Sequence, residues 1–161
     1  MVKFTTTATS SEVRAIRARL ATGLRAAGLP LTDDEDFTLR LLISEVATNG
    51  LLHGAGGDDP AGRLTVEADV RRDTNRLRVS VGDPGAGHPV LGCSGMDDEH
   101  GRGMQLVAEL ATAYGCEPDP YGGGKRVWFE LQLEGLDAPA RPAQETAHRW
   151  TRADTLAPLA L

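Results

Sequence analysis

A chain of 161 residues fits one domain, long enough to remove roughly 68–70% of its unfolded surface from water around a single core. With 17 Lys and Arg against 23 Asp and Glu the formal net charge is -6, so no basic field attracts a phosphate backbone and direct nucleic-acid binding is not expected. No apolar run approaches the ~18 residues of a membrane span, Met1-Val2-Lys3-Phe4 leads into Thr and Ser rather than a signal core, and Cys93 and Cys116 make no disulfide framework. These features point to a cytoplasmic protein with reduced thiols and no membrane contact.

In chain order, Thr9 and Glu12 form a predicted capping box ahead of Val13, Ile16, Leu20 and Leu24, whose spacing marks an amphipathic helix ended by Gly28-Leu29-Pro30. A second box, Thr32 with Glu35, starts a helix that runs through Glu45 and Asn49 and stops at Gly54 and the Gly56-Gly57-Asp58-Asp59-Pro60 stretch. That helix is apolar on several sides, which predicts that it is sandwiched. Leu64, Val66, Ala68 and Val70, then Leu77, Val79 and Val81, alternate with polar residues around Asp73-Thr74-Asn75, the pattern of a β-hairpin with one buried face.

After Gly103 a third helix is expected to place Leu106, Val107 and Leu110 on one side. Two further strands follow, one at Tyr114-Gly115-Cys116 and one from Val127 to Leu133, around Tyr121-Gly122-Gly123-Gly124. The order helix, helix, hairpin, helix, hairpin predicts an α+β fold, a two-layer sandwich in which helices cover one face of a mixed, mostly antiparallel sheet. This domain spans 1–134. The remainder, 135–161, is rich in Ala and Pro with apolar anchors at Trp150, Leu156 and Leu159, and reads as a tail or a short docking helix.

Glu45, Asn49 and His53 recur at four-residue intervals and therefore share one helix face. Asn49 offers a neutral amide oxygen suited to Mg²⁺ whose other positions are filled by phosphate and water, or else it is a helix-end former. Glu45 is placed to accept a proton from an attacking hydroxyl, or it is a solvated carboxylate. For His53, next to Gly54, the favourable interaction with the helix C-terminus is the preferred reading over a ligand role. Asp83-Pro84-Gly85-Ala86-Gly87 follows a strand, so Asp83 can accept from an exocyclic amine while the glycines admit a ligand, although Asp-Pro-Gly is also an ordinary turn. Gly101-Arg102-Gly103 before a helix gives either backbone donors for an anion or a plain flexible loop.

Other patterns fail. Gly124-Lys125 is followed by Arg126 where a P-loop needs Ser or Thr, and the glycines around Gly85 lack the third Gly of a Rossmann turn. His88, Cys93, His100 and Cys116 match no compact zinc-ligand spacing.

Together, Ser44-Glu45-Val46-Ala47-Thr48-Asn49 with His53-Gly54, Asp83-Pro84-Gly85-Ala86-Gly87, and His100-Gly101-Arg102-Gly103-Met104-Gln105-Leu106-Val107 resemble the N, G1 and G2 boxes of the GHKL ATPase superfamily. Within it the chain looks like the small bacterial anti-sigma factors and serine-protein kinases of the RsbW and SpoIIAB type, including their closing Gly123-Gly124-Lys125-Arg126-Val127-Trp128-Phe129-Glu130-Leu131 strand. The likeness covers about Thr9 to Leu133.

The resemblance implies a Bergerat-type, histidine-kinase-like fold and an ATP site. In that site Asn49 holds Mg²⁺, Glu45 is the general base, Asp83 binds the adenine amino group, and Gly85, Gly87, Gly101 and Gly103 shape the pocket. Arg102, Met104 and Lys125 complete the nucleotide contacts, Arg102 reaching the phosphates or a protein substrate, and His88 to His100 form the ATP lid. It also implies two protein partners, a sigma factor that is sequestered and a STAS-domain antagonist phosphorylated on Ser or Thr. A homodimer is expected as well, since such relatives often dimerise. Two positions depart from the family pattern: Arg126, where relatives often place Thr before the final strand, and Gly50, where Ala is common and Gly costs about 0.5–1 kcal/mol in a helix interior, with local loosening expected. A competing reading is a binding module that uses ATP only to set its conformation. A detached histidine-kinase catalytic domain is disfavoured because no helical hairpin with a phosphoaccepting His precedes Leu41.

Overall fold

A computed structural model describes residues 1–7, 9–54, 62–83, 101–119, 124–134 and 136, without the side chains of 52–54, 101 and 102. The elements in order are β1 (Val2–Thr7), α1 (Glu12–Ala26), α2 (Asp33–Gly54), β2 (Arg63–Arg71), β3 (Arg76–Asp83), α3 (Gly101–Leu110), β4 (Ala113–Pro118) and β5 (Lys125–Gln132). The strands form one sheet in the order β1-β2-β3-β5-β4. The two-layer α+β arrangement stands, but none of the four pairings is parallel. β4 runs in the direction of β3, and α3 carries the chain back across the sheet so that β5 fills the space between them.

β1 is an element the residue pattern did not disclose, because Thr5, Thr6 and Thr7 dilute its alternation to Val2 and Phe4. Its partner supplies the missing order: Phe4 lies opposite Val66 and Val2 opposite Ala68. The same strand undoes the first capping box. Glu12 accepts from the Thr6 hydroxyl at 2.6 Å, and α1 starts from Ser11 with no side-chain cap.

The second box forms as expected. Thr32 N–H donates to Glu35 Oε2 at 2.7 Å and Glu35 N–H to Thr32 Oγ1 at 3.2 Å, satisfying two donors that the first turn of α2 leaves open. The other oxygen of Glu35 accepts from Glu134 N–H at 2.7 Å, so the cap also ties the end of the sheet to α2. Leu136 is buried just beyond, its carbonyl accepting from Asn75 Nδ2 at 2.8 Å. Asn75 itself turns the β2–β3 hairpin at a φ of 53°, a conformation Asn tolerates better than most residues.

Leu42, Ile43, Val46 and Ala47 of α2 are fully buried, and this helix contacts both other helices and β2, β3 and β5. The sandwiched position predicted for it is correct. In α3 the core side is Met104 and Val107, continued by Ala111 just past the helix end, at spacings of three and four. Leu106 and Leu110 lie on the neighbouring stripe and Leu110 is exposed, so the expected Leu106, Val107, Leu110 face is corrected to this one. The helices and the inward residues of every strand share one core cluster. The opposite sheet face carries ion pairs instead: Arg126 with Glu67 and Asp119, Arg76 and Arg78 with Glu130, and Arg78 stacked 3.9 Å over the Trp128 ring.

Candidate functional site

The buried residues of α2 fix its rotation, and that rotation decides where its polar stripe points. Glu45 and Asn49 are half-buried and one turn apart, about 6 Å along the axis. A side-chain carbon built on Gly103 would meet Glu45 Oε2 inside contact distance and lie 3.2 Å from Cδ. The Glu45 carboxylate therefore rests directly against the first turn of α3. There the leading N–H groups have no intrahelical acceptor and the helix dipole is positive.

Gly101, Arg102 and Gly103 are this first turn itself, not a loop ahead of it. The correction leaves the chemistry in place, because first-turn N–H groups of a helix point outward and stay available to an anion. Absence of a side chain at Gly103 lets α3 come this close to α2. Gly103→Ala is expected to leave thermal stability within about 1 kcal/mol, since the clashing atom is the end of a side chain that can swing and Ala favours the helix. The displaced carboxylate is instead expected to cost about 10- to 100-fold in the phosphotransfer that the sequence resemblance implies. Parallel melting curves and rates of that transfer check this, and a variant equally lowered in both would reduce the contact to packing.

Asp83 ends β3 with only 3% of its surface exposed. It continues the side of the strand that carries Val79 and Val81, facing the helices. Directly opposite in β5 is Lys125. Cys116 of β4 belongs to the same group: burial pushes its thiol pKa up, nearby Lys125 pulls it down, and Asp83 and Glu117 push it up again. The net upward shift keeps the thiol protonated. Cys116 and Lys125 thus flank the carboxylate expected to read a purine.

Gly50 connects this end of the sheet to Asn49. A carbon added at Gly50 would lie 3.2 Å from Leu64 Cδ2 and 3.7 Å from Val81 Cγ1. The departure from Ala lets α2 sit close to β2 and β3, two residues from Asp83. Arg126 brings a correction. It lies on the helix-free face, with Nη1 2.6 Å from Glu67 Oε2, so the position facing Asp83 is that of Lys125. Strand parity, counted back from the buried Val127, is the sequence signal that separates the two.

Among the described residues no group of three His, Cys, Asp or Glu side chains could hold a metal. A lone amide oxygen at Asn49 fits Mg²⁺ brought in by a triphosphate, which supplies the remaining oxygens together with water. Met104 is half-buried one residue past Gly103. Gly85, Gly87, the lid from His88 to His100, the zinc candidates His88, Cys93 and His100, the Tyr121 to Gly123 turn and the apolar anchors of 135–161 lie outside the described residues, as do the side chains of His53 and Arg102. No helix among the described residues is long and apolar enough to cross a membrane.

The model of the histidine kinase-like ATPase domain matches residues 6–131. The chain belongs to this family, and so to the GHKL superfamily whose boxes it carries; membership implies an ATP-binding domain. Comparison with curated proteins finds no match. Among solved structures, the histidine kinase domain from the Erythrobacter litoralis EL346 blue-light activated histidine kinase is 25% identical at a TM-score of 0.50, over 75% of this chain and 61% of that one. The structure of the RsbU and RsbW domains of Rv1364c from Mycobacterium tuberculosis is 19% identical at a TM-score of 0.57, over 89% of this chain and 35% of that one. The chain thus spans less than two thirds of either structure, and the second likeness is one of fold.

Proposed function

We propose that this protein is an ATP-dependent serine/threonine-protein kinase that acts as an anti-sigma factor, phosphorylating a STAS-domain antagonist and sequestering a sigma factor. The observation that carries the reading is the seat of Glu45 against the first turn of α3, with Asn49 one turn further along α2. A carboxylate beside backbone donors suited to phosphate oxygens supports this reading, because transfer of a γ-phosphoryl group needs a proton acceptor close to groups that bind the phosphates.

In the proposed reaction the substrate hydroxyl oxygen bonds to the γ-phosphorus as the β,γ-bridging P–O bond breaks, releasing ADP. The hydroxyl proton passes to Glu45. Asp83 accepts from the adenine amino group, and the N–H groups of Gly101 to Gly103 donate to the phosphates. Asn49 would hold Mg²⁺, which neutralises charge on the triphosphate. Gly85, Gly87, Arg102 and Met104 belong to the same pocket in this reading.

Asn49→Ala is expected to weaken ATP binding about 10- to 100-fold in the presence of Mg²⁺, and much less when the metal is chelated. Titration calorimetry with and without chelator measures the difference, and equal affinities would remove Asn49 from the metal. The function itself is tested by incubating the protein with labelled ATP and a cognate STAS-domain protein. Label on a Ser or Thr of that protein is the expected result; ATP binding without transfer would set catalysis aside. That outcome would favour the second reading, a binding module, in which the Glu45 carboxylate against α3 serves only to lock two helices in a nucleotide-dependent conformation.

A further inference from the structure

The residue across the strand pair from Asp83 is a cation, and the chemistry of the two heads is complementary to one particular edge. Directly opposite residues of an antiparallel pair hold their Cβ atoms about 4.5–5.5 Å apart and on the same face of the sheet. Asp83 and Lys125 are such a pair, and both act on Cys116, the neighbour on that face. Asp83 is buried at the end of β3 and Lys125, across from it, is half-buried.

We infer that Lys125 is a specificity-determining residue of the nucleotide site, donating to purine N1 while Asp83 accepts from the 6-amino group; this rests on the ATP-site reading above. An ionised carboxylate only accepts hydrogen bonds and an ammonium only donates them. Adenine presents a donor at its 6-amino group and an acceptor at N1, adjacent on one edge. Guanine presents the reverse, an acceptor at O6 and a donor at N1. With the two residues set opposite each other by one strand register, the adenine order is matched. The guanine order sets lone pairs against the carboxylate and a donor against the ammonium. A hydrogen bond to a charged donor is worth about tenfold or more in affinity. The four methylenes of Lys125 give the ammonium the reach to meet the base without an intervening water.

The test is the affinity of the full-length protein for ADP, 1-deaza-ADP and GDP by calorimetry, in wild type, Lys125→Met and Lys125→Arg. Wild type is expected to prefer ADP over 1-deaza-ADP about tenfold and over GDP by more. Lys125→Met should lose about tenfold for ADP and treat ADP and 1-deaza-ADP alike, with much of the preference regained in Lys125→Arg. A wild type indifferent to removal of N1 would overturn the inference, and this needs no variant to fold. A Lys125→Met variant that keeps the full ADP to 1-deaza-ADP ratio would overturn it equally. No binding of any of the three nucleotides to wild type would instead bring down the ATP-site reading beneath it.

Discussion

Exchanging Glu45 for Gln is expected to lower the proposed phosphotransfer to a STAS-domain protein by about 100- to 10,000-fold, the range over which positioned general bases contribute. The amide is nearly isosteric and still fits against Gly103, so the α2–α3 contact survives and the fold is unchanged. What it loses is the ability to take a proton. Nucleotide affinity should move by less than about threefold, because in the proposed reaction Glu45 acts on the attacking hydroxyl rather than on bound ATP. Single-turnover transfer and calorimetry on the same preparation separate the two effects. Were transfer to persist within a few-fold of wild type, Glu45 would be a helix-locking residue only. The proposed sequestration of a sigma factor, where it needs ATP binding but not turnover, should continue in this variant and is readable by pull-down.

Glu45→Gln and Gly103→Ala form a pair that tests one contact from its two sides. The first keeps the geometry and removes the chemistry; the second keeps the chemistry and moves it. If both reduce turnover, and the double variant is little worse than Glu45→Gln alone, the two residues act as one unit, since effects of groups that work together are not additive.

The sequence disclosed most where a residue's role is set by its neighbours along the chain. The Thr32–Glu35 box and the β2–β3 hairpin with one buried face both depend on local spacing, and both stand as read. The failures fall where a distant segment decides. β1 pairs with residues about sixty positions away, and at its end Thr6 binds the Glu12 carboxylate while the Thr9 N–H donates to the Thr7 carbonyl, so the first capping box does not form. The inward stripe of α3 depends on the angle at which it meets α2, which the apolar count of Leu106 and Leu110 does not encode. Arg126 and Lys125 are adjacent in sequence and differ only by strand parity, so a one-residue shift exchanges a residue of the ion-paired face for one beside Asp83. Membership in the ATPase family was legible from the boxes; the close approach of Glu45 to Gly103 was not, because it is a product of helix packing.

Phe129→Ala is expected to cost about 3–5 kcal/mol, the range for emptying a large aromatic site in a packed core. Phe129 is completely buried in β5, opposite Val79 on one side and Tyr114 on the other, beneath the helix layer. Against a domain stability of about 5–15 kcal/mol this is a large fraction, and it corresponds to a melting point lower by roughly 6–20 °C. Its neighbour Trp128 occupies the other face, half-buried and stacked on Arg78, so Trp128→Ala should cost less although a larger ring is removed. The consequence for the site follows from linkage. Phe129 shares β5 with Lys125, and β3, which pairs with it throughout, carries Asp83. A nucleotide that binds only the folded form restores about 2.7 kcal/mol at a hundredfold excess over its dissociation constant. Mg-ATP should therefore raise the melting point of Phe129→Ala by at least as many degrees as that of wild type, as long as the pocket still forms. Denaturant titration of both variants, with and without nucleotide, measures all of this. A Phe129→Ala cost near 1 kcal/mol, or one smaller than that of Trp128→Ala, would contradict the placement of the helices over this face of the sheet and of the pocket at its end.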